Sequence, residues 1–234
     1  MTVGAMLKDH TIFYAGTSWP TAEVVARDPI VTKFVPSGAQ QVRQAFNFTL
    51  AATGKGKAWS TTRPLAFWRD FTALVHHDAE AEAKALAFVR RWGDPKGEIN
   101  DKDGKTESFD WVVLTASLFH IAQVWSAPDA DGVSHYGNDL ARLREAHSYW
   151  RHFLFPDFIR ADVELEVVPA GGTDLVLRAK TLAAFMGLSA SSAMGRAVRM
   201  RRCQYCTSWF ELGRRDARFC SASCRAHAHA SKQG

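Results

Sequence analysis

The sequence predicts a protein of the α+β class, with a mostly helical body in residues 1–200 and a small separate module in residues 201–234. Three observations predict this arrangement. Apolar residues recur at helical spacing in the body, one segment alternates apolar and polar residues around a Gly-Gly turn, and all four cysteines lie in the last 35 residues. The chain of 234 residues is 47% hydrophobic, enough for a sizeable core.

The first half of the body is predicted to contain strands and helices. Residues 11–16 and 29–36 are predicted to be short strands or extended pieces, broken by Pro20, Pro29 and Pro36. Residues 39–52 are predicted to be helical. Residues 64–93 are predicted to form either one helix or two helices with a break near His77. Arg90 and Arg91 ahead of Gly93 are typical of a helix end.

The second half of the body continues with helices around one hairpin. From residue 111, an apolar stripe at spacings of three and four predicts a helix that faces the core. Residues 140–155 are predicted to form another helix, capped by Asp139 and ended by Pro156. Residues 162–179 alternate around Gly171-Gly172 and predict a β-hairpin. Residues 180–200 predict a final helix that runs almost directly into the module, so we expect the module to be held against the body. The apolar stripe of the helix that begins at residue 111 comprises Trp111, Leu114, Leu118, Ile121 and Trp125.

The chain is expected to be cytoplasmic. Its first ten residues lack the basic start and apolar run of a signal peptide. The most apolar segment, residues 111–125, is too short to span a bilayer and is interrupted by polar residues. In a reducing cytosol, paired cysteines hold a metal more often than they form disulfides.

The basic residues are concentrated at one end. Residues 196–232 contain nine basic and two acidic residues, whereas the remaining chain contains 20 basic and 22 acidic residues. The C-terminal segment therefore carries +7 and the body −2. This asymmetry predicts a polyanionic partner for the C-terminal segment.

The cysteines have the spacing of a metal site. Cys203 and Cys206 form a C-x2-C pair, Cys220 and Cys224 form a C-x3-C pair, and thirteen residues separate the pairs. Four thiolates are a sufficient tetrahedral set for one structural Zn2+ in a ribbon-like or treble-clef module. Residues four apart share one face at the start of a helix, which Ser221 can cap. The segment is too poor in apolar residues to fold without metal.

Other interpretations of the cysteines remain open. Cys203 and Cys206 could form a redox pair, although such pairs normally accompany a βαβ pattern and do not need two further cysteines. The four cysteines could also be unrelated free thiols. Either His227 or His229 could replace one cysteine as a ligand.

The basic residues around the cysteines predict binding to DNA. Cationic side chains near the pairs would contact phosphates, and they are Arg201, Arg202, Arg214, Arg215, Arg218 and Arg225. The alternative is an adaptor whose zinc module contacts other proteins without binding DNA. An enzyme is not expected, because four cysteines close the coordination shell and no histidine lies between Cys206 and Cys220.

The segment "RRCQYCTSWFELGRRDARFCSASCRAHA" resembles the zinc fingers of the CGNR type, which follow an ABATE-like N-terminal domain in bacterial proteins. The shared features are the C-x2-C pair, Phe210, the basic stretch through Arg218, and Cys224 after Phe219-Cys220-Ser221. In this sequence Cys224 is followed by Arg225 and Ala226 where that family has Gly and Asn. The resemblance implies a stress-linked bacterial transcription regulator that binds DNA through the finger. Separately from the resemblance, the aromatic-rich body could enclose a pocket for a small-molecule effector or form a homodimer.

Overall fold

The computed structural model describes residues 11–32, 43–72, 74, 80–100, 104–107, 111, 114–115, 118–119, 122, 162–169, 173–195, 198–214 and 216–231. Its strands are β1 Thr11–Ser18, β2 Ala22–Thr32, β3 Arg43–Ala52, β4 Lys57–Thr61, β5 Lys105–Glu107, β6 Val163–Pro169, β7 Thr173–Ala179, β8 Met200–Arg202 and β9 Trp209–Glu211. Its helices are α1 Trp68–Thr72, α2 Ala81–Trp92, α3 Leu182–Gly195 and α4 Ala222–Ala230, with a 3-10 turn at Glu98–Asn100. Nine strands accompany four helices in this described part, so the prediction of a mostly helical body is not supported, whereas the α+β class is confirmed.

Two sheets form the body. The first sheet has the order β4-β1-β7-β6, in which β1 runs parallel to β7 and antiparallel to β4. Its β6-β7 pair is the predicted hairpin, with Val163 opposite Ala179 and Pro169 opposite Thr173. The second sheet, β2-β3-β5, is antiparallel throughout. The predicted strand at 11–16 is therefore confirmed, and residues 29–32 of the second predicted strand belong to β2.

The helix predicted at residues 39–52 is wrong over the described residues 43–52, which form β3. This strand pairs with β2 from Arg43 to Ala52 and with β5 through Thr49, Leu50 and Ala51. The backbone N–H and C=O groups of β3 bond to strands on both of its edges, and those strands are distant in sequence. This pairing overrides the local preference of residues 43–52 for a helix. Alternation of Phe46, Phe48 and Leu50 in the sequence was the signal for a strand.

The segment 64–93 contains two described helices, α1 and α2, in agreement with the alternative of a broken helix; residues 75–79 lie outside the described residues. α2 ends where predicted, with Arg90 and Arg91 in its last turn and Gly93 after it. Gly93 has φ +108°, and a Cβ there would collide with the carbonyl oxygen of Thr17 at the end of β1. Glycine is therefore required at this close approach between α2 and the first sheet.

Helix α3 lies in the centre of the core. All twelve residues from Leu182 to Ala193 are buried, including three serines, which is expected for a helix that is apolar on every side. Phe185 stacks on Tyr14 of β1 with 5.1 Å between ring centroids, and Phe67 and Trp59 surround it. Inside the helix, the Ser191 hydroxyl donates to the Gly187 carbonyl at 2.9 Å.

The predicted apolar stripe is confirmed where it is described. Trp111, Leu114 and Leu118 are all buried and belong to the same core cluster as Phe185. Ile121, Trp125 and the predicted helix at 140–155 lie outside the described residues. No helix in the described part of the chain combines the length and apolar character that a bilayer crossing requires.

Candidate metal centre

A tight β-hairpin positions the first two cysteines. β8 and β9 pair with Met200 opposite Glu211 and Arg202 opposite Trp209. In the turn between them, the Cys203 N–H donates to the Ser208 carbonyl at 2.9 Å and the Thr207 N–H donates to the Cys203 carbonyl at 3.0 Å. Thr207 has φ 58°, a left-handed conformation that β-branched residues rarely adopt. These bonds fix a turn that places Cys203 and Cys206 on the same side.

The N-terminus of α4 positions the other two cysteines. Cys220 precedes the helix and Cys224 lies in its first turn, so the C-x3-C spacing directs both sulfurs to one side. Ser221 is the N-cap, and its hydroxyl oxygen accepts from the Cys224 N–H at 3.1 Å. The predicted serine cap is therefore confirmed.

The four sulfurs converge. The Sγ atoms of Cys203, Cys206, Cys220 and Cys224 all lie within 4.8 Å of one another. Cys206 Sγ lies 3.6 Å from Cys220 Sγ, which in turn lies 3.4 Å from Cys224 Sγ. A tetrahedral ion with metal–sulfur bonds of about 2.3 Å would separate its sulfurs by about 3.8 Å. The four cysteines are therefore positioned to hold a metal ion, and this cluster contains neither His227 nor His229.

The cysteines differ in acidity. Burial raises the pKa of the Cys203 thiol, but N–H groups of Cys206, Cys220 and Tyr205 directed at its sulfur outweigh burial and lower the pKa to about 6. Burial and hydrogen bonds with the neighbouring sulfurs raise the pKa of Cys220 to about 12. Four adjacent thiols cannot all lose their protons without a compensating positive charge, which a bound divalent cation would provide.

The hairpin is held against the body, as expected. Arg91 of α2 donates from Nη1 to the Ser208 hydroxyl at 2.6 Å. The guanidinium carbon of Arg69, in α1, lies 3.9 Å from the ring centroid of Trp209. Met200, at the start of β8, is buried in the body core. The turn that carries two of the cysteines is thus fixed to α1 and α2.

Asp70 occupies this contact between hairpin and body. Its carboxylate accepts from the Trp209 N–H, and burial raises its pKa to about 6 although Arg202, Arg91 and Arg69 oppose the shift. No pattern in the sequence indicates this contact, because Asp70 and Trp209 are far apart along the chain. The folded protein therefore carries a partly buried carboxylate whose ionisation opposes folding.

The raised pKa of Asp70 predicts a pH-dependent stability difference. The protonated Asp70 carboxyl contributes stability that is fully present below about pH 4, the usual pKa of aspartate. This contribution is lost as the pH rises through about 6, the pKa in the folded protein. Asp70→Asn keeps an acceptor for the Trp209 N–H without the charge. We expect this variant to become more stable than the wild type between pH 4 and 7, by on the order of 2–3 kcal/mol at pH 7.

Urea unfolding at several pH values, with metal content checked at each, measures this difference. The exposed Asp216→Asn controls for the loss of one negative charge. If Asp70→Asn were less stable than the wild type at pH 7, the attraction of the three arginines for the Asp70 carboxylate would outweigh the cost of burying its charge. Our explanation would then be wrong.

The predicted phosphate-binding arginines are only partly brought together. Arg201, Arg202 and Arg218 line one open depression of about 690 Å³, with Gln204, Thr207 and Cys203. Arg214 and Arg225 are exposed and do not belong to its lining, and Arg215 lies outside the described residues. The Nη1 of Arg201 donates to the Ala217 carbonyl at 3.0 Å, which fixes this side chain beside the loop that carries Arg218.

Sequence reasoning missed an exposed aromatic pair formed by the cysteine turn and α4. Tyr205 lies in the turn between the first two cysteines and stacks on His227 of α4, with 5.5 Å between ring centroids and 15° between ring planes. A tyrosine within the C-x2-C pair was the available signal.

No family model, curated protein or solved structure matches this chain.

Proposed function

We propose that the four cysteines hold one structural Zn2+ and that the module so formed binds nucleic acid through its phosphates, as part of a bacterial transcription regulator. The observation that carries this proposal is the depression lined by Arg201, Arg202 and Arg218, which includes the metal-site residue Cys203 in its lining. Arginine presents planar donors that suit phosphate oxygens and remains charged at any physiological pH.

Zinc is proposed because of the donor set. Four thiolates favour Zn2+ over the hard cations Mg2+ and Ca2+, which prefer oxygen ligands. Four protein ligands also leave no open position for a substrate, so the ion would have a structural role. Its part here is to hold the turn of Cys203 and Cys206 against the start of α4.

That structural role connects the metal to the cationic surface. The Gln204 N–H, in the cysteine turn, donates to the Arg218 carbonyl at 3.0 Å. Arg218 lies two residues before the ligand Cys220. The backbone that carries the ligands therefore also carries Arg201, Arg202 and Arg218, and loss of the metal would disperse these charges.

Replacing the three depression arginines tests the proposal. We expect the triple variant Arg201→Gln, Arg202→Gln, Arg218→Gln to lose most of its DNA affinity, on the order of 100-fold. Between about 50 and 200 mM KCl, the slope of log affinity against log salt should decrease by about 2–3, because up to three phosphate contacts are lost. Fluorescence anisotropy with labelled DNA measures both quantities.

The matched control removes three positive charges elsewhere. Lys55, Lys57 and Lys105 are exposed on the body, and their triple substitution by Gln should leave both affinity and slope nearly unchanged. Equal losses in the two variants would contradict a specific site. Zinc-loaded protein that binds neither DNA nor RNA would contradict the proposal and favour an adaptor that contacts proteins.

A further inference from the structure

We propose that this module takes unpaired nucleic acid, with a base stacked on the Tyr205–His227 pair and adjoining phosphates in the arginine-lined depression. This inference rests on the proposed function and names the class of ligand. The inference starts from an aromatic ring that is largely open to solvent. Tyr205 is 46% exposed, one of three large apolar side chains so exposed among the described residues.

The stacked pair is built from both halves of the module. Tyr205 belongs to the cysteine turn and His227 belongs to α4, and both side chains are exposed. Their rings are nearly parallel and stacked, so each leaves an outer face on which a base can continue the stack. Such surfaces bind the faces of nucleobases, and the stacking tolerates any base because every base has a π face.

The aromatic pair and the cationic depression share one turn. Gln204 lines the depression, Tyr205 follows it, and Thr207 lines the depression again. The backbone bond from Gln204 to Arg218 fixes the turn beside the arginine. A nucleotide strand alternates flat bases with charged phosphates, so adjacent aromatic and cationic groups match the chemistry of a single strand.

A paired strand would not use the aromatic surface. In a duplex the faces of the bases stack on one another, and only their edges are open in the grooves. In single strands, loops and bulges the faces can be exposed and can stack on aromatic side chains. The exposed ring of Tyr205 therefore favours an unpaired partner over a duplex.

The test compares one labelled DNA strand, alone and annealed to its complement, by anisotropy on the metal-loaded full chain. We expect the wild type to bind the single strand more tightly than the duplex. Tyr205→Ala should weaken single-strand binding by about 5- to 150-fold, without changing the salt slope because no charge is lost. Tyr205→Phe keeps the ring and should remain within about 3-fold of the wild type.

His227→Ala provides a second variant at an exposed position of α4, where alanine suits a helix. It should also weaken single-strand binding several-fold and retain the metal. If Tyr205→Ala and His227→Ala both bind like the wild type while the arginine variant does not, stacking is overturned and the proposed function stands. Tighter binding to the duplex would also overturn the inference. If neither form of the DNA binds, and an RNA strand of the same sequence does not bind either, the proposed function fails as well.

Discussion

Removal of the metal is expected to unfold the segment 203–231 while the body, with Met200 in its core, stays folded. Among the described residues of this segment only Cys203 is buried, and α4 has no buried residue. Ordering about 30 residues costs about 1.5 kcal/mol each, which so little apolar burial cannot offset. Structural zinc contributes about 10–16 kcal/mol in finger peptides. Amide hydrogen exchange with and without a chelator measures the change.

In the metal-loaded protein, amides of α4 should be protected, and the chelator should abolish this protection while the amides of α3 stay protected. Cys206→Ser and Cys224→Ser should reproduce the loss. Ser223→Ala, at an exposed position between the last two ligands, should behave like the wild type. Protection of α4 that survives complete removal of the metal would contradict our account.

Phe185→Ala is expected to destabilise the body by about 3–5 kcal/mol. Phe185 is 0% exposed, and its ring lies among those of Tyr14, Trp59 and Phe67. Alanine would leave a cavity that α3, buried on every side, cannot collapse to fill. The midpoint of urea unfolding of the metal-loaded protein measures the loss.

Leu165→Ala is the matched control, because Leu165 lies on β6 and is 62% exposed. Surface substitutions of this kind usually change stability by less than about 0.5 kcal/mol. Similar losses for the two variants would show that Phe185 does not occupy a packed core.

Features set by local chemistry were predictable from the sequence. The C-x2-C and C-x3-C spacings led to the four converging sulfurs, and Ser221 was identified as a helix cap. The hairpin of β6 and β7 followed from alternation around a Gly-Gly turn. In each case the signal lies within a few residues, so it does not depend on the rest of the fold.

Features that depend on distant partners were missed. β3 was predicted as a helix because its neighbours β2 and β5 could not be identified from its own residues. The stabilising contact of Arg69 with Trp209 joins residues 140 apart in sequence, and no local pattern indicates it. Likewise, net charge predicted a cationic end but could not select Arg201, Arg202 and Arg218 as the residues that share one depression.

Four interpretations of the sequence stay predictions. They are the division into separate domains at residues 1–200 and 201–234, the resemblance to CGNR-type fingers, the small-molecule effector and the homodimer. The contacts of Arg69 and Arg91 with the hairpin show that residues on both sides of the predicted boundary pack together. An effector bound in the body would therefore have a physical connection to the cysteine turn through α1 and α2.

Elemental analysis of the purified full chain, paired with the Cys206→Ser and Cys220→Ser double variant, tests the central claim most directly. We predict one zinc per wild-type chain and none in the double variant. A wild-type chain with undamaged thiols that carries no zinc, or a double variant that retains it in full, would contradict the assignment of the four cysteines as ligands.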